Sequence, residues 1–202
     1  MVLFAIPFTC SLAVRLSLAQ RAVPHTVRWM RRFEHRLDDG ADYDLLNPKR
    51  RVPALLLPDG ELLTEIVSIL MFLESGVPRA EPERRRLHEQ LCYLSTELHR
   101  PILAALFDPQ SPPATVDDVL NRQLPPVLAH LDGLLSQAPT LLGGEAPSAA
   151  DLYLLWGLAL LRFRGVDAAR SPALDAYFRR ISTLDWVAPL LADERNELNQ
   201  RA

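Results

Sequence analysis

Lysine is nearly missing from this chain. Lys49 is the only one among 202 residues, and arginine supplies every other side chain in the Lys+Arg total of 22. That bias fits a GC-rich coding sequence better than a function. Cysteine is almost as scarce, at Cys10 and Cys92. Two are too few for a disulfide framework, and they point to a reducing cytoplasm. Neither sign of charge dominates: the net charge is −3, so bulk charge asks for neither a nucleic acid nor an anionic membrane partner. There is no Gly-rich phosphate loop, zinc-ligand spacing, Ser/His/Asp arrangement or internal repeat. His88 and His99 lie on one predicted helix without a third ligand nearby, so no metal site is expected. No apolar run reaches the roughly 20 residues a membrane helix needs. The first 22 residues are apolar, but they lack a positive n-region and are interrupted by Pro7 and Arg15, so they read as a strand and a helix rather than a secretory leader.

The hydrophobic content of 49% is ample for a packed core. The first third alternates element types. Val2–Ile6 reads as a strand, Leu12–Ala22 as a helix and Thr26–Met30 as a strand. Residues 33–46 read as irregular, with one helical turn. Ala54–Leu57 reads as a buried strand entered through Pro53. Pro58-Asp59-Gly60-Glu61 reads as a hairpin turn into Leu62-Leu63. A helix to Glu74 follows, with Thr64 as its N-cap. The order βαβαββα gives a small mixed sheet with helices on its faces. Beyond a linker at 77–82 no strand is evident. Residues 83–202 read as all-helical: a long helix from Glu83 to Phe107 kinked at Pro101, a helix Val116–Gln137, an apolar helix opened by Ser148-Ala149-Ala150-Asp151, and two shorter closing helices. Ser148 with an acid three residues on approximates a capping box. The fold class is therefore α+β, with domains at 1–76 and 83–202.

Cys10 lies between the first strand and the first helix. A thiol there meets the unpaired N–H groups and positive end of the helix, which lowers a cysteine pKa and favours the thiolate. A buried small hydrophobe is the competing reading. Arg28, Arg31, Arg32 and Arg36 form a basic group that reads as a solvated face before an anion site. Trp29, Trp156 and Trp186 read as packing residues.

Taken together, the cysteine at the strand–helix turn, Val52-Pro53 before a buried strand, Thr64-Glu65 at a helix head and Ser148-x-x-Asp151 resemble the glutathione transferase superfamily over essentially the whole chain. Cys10-Ser11-Leu12 is similar to the bacterial beta class. The resemblance implies a thioredoxin-like N-terminal domain followed by a helical domain, a cytoplasmic homodimer, glutathione as cosubstrate and a small hydrophobic electrophile, with detoxification as the setting. It implies a cis bond before Pro53, leaving the Val52 backbone to pair with the cysteinyl part of glutathione like an added strand. It places Glu65 and the Ile66 N–H at the γ-glutamyl end, and His35 near the glycyl carboxylate. It sets His99 and Arg100 across the cleft from Cys10. Cys10 and His99 are then the catalytic candidates; His35, Val52, Pro53, Glu65, Ile66 and Arg100 are the glutathione-binding candidates. Cys10 either hydrogen-bonds the glutathione thiolate, giving conjugation, or forms a mixed disulfide, giving thiol exchange. Ile66 departs from the small residue usual at its position, offering no hydroxyl and crowding the ligand. Cys92 stands where relatives carry Asn. An isomerase or specialised biosynthetic enzyme on this scaffold, or a non-catalytic regulatory protein, stays open beside the transferase reading.

Overall fold

In a computed structural model, which describes residues 1–31, 34–166 and 171–201, the chain forms two compact units. Unit 1 is Met1–Val77 with Leu184–Ala202, and unit 2 is Pro78–Thr183. From sequence, everything past residue 82 belonged to the helical domain; the C-terminal segment instead groups with unit 1.

Unit 1 is built on β1 (Val2–Ala5), α1 (Ser11–Gln20), β2 (Thr26–Arg31), β3 (Arg36–Leu37), α2 (Tyr43–Leu46), β4 (Ala54–Leu56), β5 (Leu62–Thr64) and α3 (Ile66–Glu74). The sheet order is β3-β2-β1-β4-β5. β1 runs parallel to β2, with Val2 opposite Thr26, and antiparallel to β4, with Leu3 opposite Leu55. The parallel pair requires a crossover, which α1 supplies. Alternation along β1 sends Phe4 to one face, where it packs with Met30, Leu37, Tyr43 and Ala54. Leu3 and Leu55, also fully buried, point the other way.

Two local expectations fail here. β3 is an extra strand where sequence indicated irregular chain; at two residues it is too short for a period-2 pattern to show. Thr64 does not cap α3. It pairs with Ala54 in the sheet, and its hydroxyl accepts from Lys49 Nζ at 2.8 Å. The cap position falls to Glu65, whose φ of 68° is left-handed and which makes no side-chain cap.

α10 (Ala188–Arg201; α4 to α9 follow below) is fastened to the rest of unit 1 by charge. Glu194, fully buried, accepts from the Phe8 N–H at 2.7 Å and pairs with Arg15 at 3.1 Å. Arg15 also pairs with Asp193, and Arg201 with Asp38. The Arg15 and Arg201 guanidinium groups lie 5.5 and 5.7 Å from the Trp29 ring centre, close enough for a cation–π attraction. The basic group near the first strands pairs locally. Arg28 meets Asp39, Arg31 meets Glu34 at 3.2 Å, and Arg36 donates to the Gly40 carbonyl at 3.1 Å, as a solvated face would. Arg32, and the start of the irregular stretch at Phe33, lie outside the described residues.

Unit 2 contains α4 (Glu81–Tyr93), α5 (Ala104–Phe107), α6 (Pro113–Asp118), α7 (Leu124–Leu135), α8 (Ala149–Phe163) and α9 (Pro172–Ser182). The proline-kinked long helix proves to be α4 and α5 joined by a π-helical stretch, Leu94–Leu103. A second π stretch, Val119–Gln123, precedes α7. The cause is the same in both. Pro101, and the pair Pro125-Pro126, lack the N–H that would bond four residues back. The ladder skips a residue: Ala104 donates to His99 O and Leu124 to Val119 O, each five back.

α8 is the core of this unit. Every residue from Ala149 to Leu161 is buried, as an all-round apolar helix requires. Its start is a true capping box. Ser148 Oγ accepts from Asp151 N at 3.5 Å, and Asp151 Oδ2 accepts from Ser148 N at 2.8 Å. The same carboxylate accepts from Leu141 N at 2.9 Å and Tyr177 Oη at 3.2 Å. Asp151 thereby ties the preceding loop and α9 to the helix head.

Candidate functional site

The turn between β1 and α1 sets Cys10. Ile6 O accepts three hydrogen bonds: from Thr9 N at 3.3 Å, Thr9 Oγ1 at 2.8 Å and Ser11 Oγ at 3.0 Å. Phe8 takes a left-handed φ of 60°, and its N–H is held by Glu194. Cys10 follows as the residue preceding α1, 8% exposed. Its Sγ donates to the Val52 carbonyl at 3.5 Å, and the Val52–Pro53 bond is cis. The turn therefore brings the thiol to the β4 entry, 42 residues on.

The expected thiolate does not materialise. Burial pushes the Cys10 pKa up to about 12, and the Glu65 carboxylate pushes the same way. The N–H groups of Cys10 and Ser11 oppose both and are outweighed. Desolvation beats the helix end because a buried charge loses water that two N–H groups do not replace. The resting group is a neutral thiol, a hydrogen-bond donor.

Glu65 stands exposed at the head of α3, its Oε1 accepting from Lys49 Nζ at 3.0 Å. Ile66 is the first helical residue and is 7% exposed. Its side chain is buried; its N–H belongs to the first turn, which has no intrahelical acceptor. His35 has a φ of 53° and meets Asp44 at 2.9 Å. Asp44 also pairs with Arg50 at 2.9 Å.

Unit 2 holds the other two candidates. His99 lies in the first π stretch, its Nδ1 2.6 Å from Tyr153 Oη. It sits edge-on to Trp156 at 4.8 Å, while Tyr153 and Trp156 stack on each other. Burial lowers its pKa to about 4, with Arg100 adding to the effect, so the ring is neutral at pH 7. Gly157 matters to this packing: a Cβ there would come 3.0 Å from Leu98 Cδ2, next to His99. Arg100 is exposed. Tyr93 at the end of α4, with Glu97 and Ile102 of the π stretch, faces Gln123 and Val127 across a cavity of about 430 Å³, which His99 does not line. Cys92 is exposed on α4.

Sequence reasoning missed two residues that bear on these groups. Glu194 fixes the turn before Cys10 across 186 positions, a separation no local pattern reveals. Tyr153 orients His99; its helix was legible, its partner was not. Among the described residues no group of three or more His, Cys, Asp or Glu could hold a metal ion.

Comparison with known proteins gives a consistent result. Residues 9–75 match the family model for the glutathione S-transferase N-terminal domain. Glutathione S-transferase GstA of Escherichia coli O157:H7 is 34% identical over 179 residues, covering 83% of this chain and 88% of the relative. A sphingomonad glutathione S-transferase solved with glutathione is 32% identical, with a TM-score of 0.88 over 96% of this chain and 98% of that one. The bacterial beta class enzyme of Sphingomonas chungbukensis is 30% identical, again with a TM-score of 0.88 over 96% of this chain and 98% of the other.

Proposed function

The chain belongs to the glutathione S-transferase family, and from that premise we propose that unit 1 binds glutathione along Val52-Pro53 and the head of α3, with Cys10 donating a hydrogen bond to the glutathione sulfur. The observation that carries this is the contact of a neutral Cys10 thiol with the Val52 carbonyl at 3.5 Å. In the β-augmentation pose the ligand's cysteinyl N–H takes that carbonyl. The Cys10 S–H is then released to turn toward the incoming sulfur. A donor aimed at developing or resident thiolate charge lowers the energy of the anion without being consumed. The ionised glutathione sulfur attacks the electrophilic carbon of an apolar substrate. The new C–S bond forms as the leaving group departs with its electron pair, or, in an addition, as a proton reaches the adjacent carbon.

A thiol held neutral at pH 7 is a poor nucleophile, which favours conjugation over exchange through Cys10. The γ-glutamyl ammonium goes to Glu65, the γ-glutamyl carboxylate to the Ile66 N–H, and the glycyl carboxylate lies near His35. From unit 2 the reading takes His99 as a neutral donor and Arg100 as the positive charge. It also carries a cytoplasmic homodimer acting in detoxification, for which light scattering on the purified chain tests the dimer.

Isothermal titration with glutathione is the direct test. Binding is expected in the micromolar to low millimolar range, and no detectable heat at millimolar ligand sinks the proposal. Cys10→Ser separates the two roles. A hydroxyl still donates, so the variant is expected to keep conjugation of an activated aryl halide within about tenfold, whereas a covalent role loses the activity outright.

A further inference from the structure

The lone lysine sits on the carboxylate that the preceding section assigns to the ligand. Lys49 Nζ donates to Thr64 Oγ1 at 2.8 Å and to Glu65 Oε1 at 3.0 Å, with the two side chains 54% and 71% exposed. We propose that Lys49 is a specificity-determining residue: with Glu65 it forms a two-charge clamp that reads the α-amino and α-carboxylate groups of the γ-glutamyl end together.

The inference rests on Glu65 receiving the γ-glutamyl ammonium, and deepens that reading. In the unliganded protein Lys49 stands where that ammonium is to go. Either it is a mask that the ligand must displace, or it is a partner for the ligand's other charge. The magnitudes favour the partner. An exposed pair of this kind shifts an equilibrium by at most about fivefold, so opening it costs the ligand little. Once open, the two groups present opposite charges side by side. An α-amino acid carries the complementary pair on one carbon, within reach of both. The local chemistry also calls for a second anchor. Ile66 has no hydroxyl to offer the α-carboxylate, and its side chain is buried; the Thr64 hydroxyl accepts from Lys49, which holds the ammonium beside the helix head. Beside the helix head a carboxylate meets the backbone N–H and the Lys49 ammonium, which a charge-assisted hydrogen bond suits. The ammonium is a flexible point charge on a long stem, so it can follow the carboxylate without disturbing the turn at Asn47–Arg50.

Titration calorimetry with two peptides tests this: glutathione, and 4-aminobutyryl-cysteinylglycine, which keeps the amine and lacks the α-carboxylate. The wild-type chain is compared with Lys49→Met and Glu65→Gln, each checked for folding by circular dichroism. Lys49→Met is expected to weaken glutathione about tenfold and leave the aminobutyryl peptide within about twofold. Glu65→Gln is expected to weaken both peptides alike, because both carry the amine. If Lys49→Met binds glutathione as tightly as wild type or more tightly, Lys49 is a mask and the clamp is wrong. Equal losses on both peptides also overturn it. If the wild-type chain binds neither peptide, the glutathione reading itself fails, an outcome distinct from both.

Discussion

Each unit of this protein holds one cysteine, and the two are opposites. Cys10 sits at a helix start with its sulfur buried against the Val52 carbonyl; Cys92 lies exposed on the flank of α4. Position in sequence points to Cys10 as the ionised thiol, because helix starts favour anions. Burial reverses that. The two chemistry-bearing groups then turn out alike for one reason: desolvation raises Cys10 and lowers His99, so both are neutral at pH 7. What differs is how they are held. Unit 1 locks its turn with backbone and side-chain hydrogen bonds to Ile6 O and with Glu194. Unit 2 holds its ring with aromatic faces on a π-helical stretch that Pro101 imposes.

The largest expected contrast is chemical. With a pKa of about 12, roughly one Cys10 in ten thousand carries the thiolate at pH 8. Iodoacetamide at that pH, followed by peptide mass spectrometry, should label Cys92 at least about a hundredfold faster than Cys10. Similar rates would break the comparison. The linkage runs the same way. Cys10 keeps its proton in the folded state while the unfolded thiol ionises, so its contribution is fully present below pH 9 and is lost as pH rises from 9.0 to about 12.

Next come the two carboxylates that are fully buried among the described residues, one per unit. Asp151→Ala removes the acceptor for Ser148, Leu141 and Tyr177, and should cost about 4 kcal/mol of stability in chemical denaturation. Glu194→Ala removes the acceptor of the Phe8 N–H and one of the two carboxylates paired with Arg15, costs about 3 kcal/mol, and should also speed Cys10 alkylation because the turn loosens. If only stability moves, Glu194 does not govern the turn.

His99 gives a smaller effect in a different pH window. Its folded pKa lies below its ordinary value, so its contribution is present above pH 6.5 and is lost as pH falls from 6.5 to about 4. After allowance for its partial exposure this amounts to about 2 kcal/mol, read as the difference in acid denaturation between wild type and His99→Phe. The smallest effect belongs to Cys92→Ser, expected to change stability by less than about 0.5 kcal/mol and conjugation not at all.

Much of this was legible without coordinates. The alternation in Val2–Ile6, the Asp59-Gly60 turn, the proline before β4 and the Ser148/Asp151 spacing are short-range signals, and each marks an element that the structure contains. The cis bond at Val52-Pro53 and the membership in the family came from the combination of motifs. Other features stayed hidden for stateable reasons. β3 is too short to show a period. Thr64 has the chemistry of a cap, but its hydroxyl is drawn to Lys49. Pro101 announced a kink without saying that the ladder would shift by one residue.

What the sequence determined by itself is the order of elements and the residue types at each turn, because those follow from local backbone preferences and from the spacing of apolar side chains. What only the tertiary structure decided is the charge state of Cys10 and His99, the seat of Ile66 in the core, and the hold of Glu194 on the turn at Phe8. Each depends on which distant groups exclude water from a given atom. Solvation is a property of the packed molecule, and no stretch of chain carries it alone.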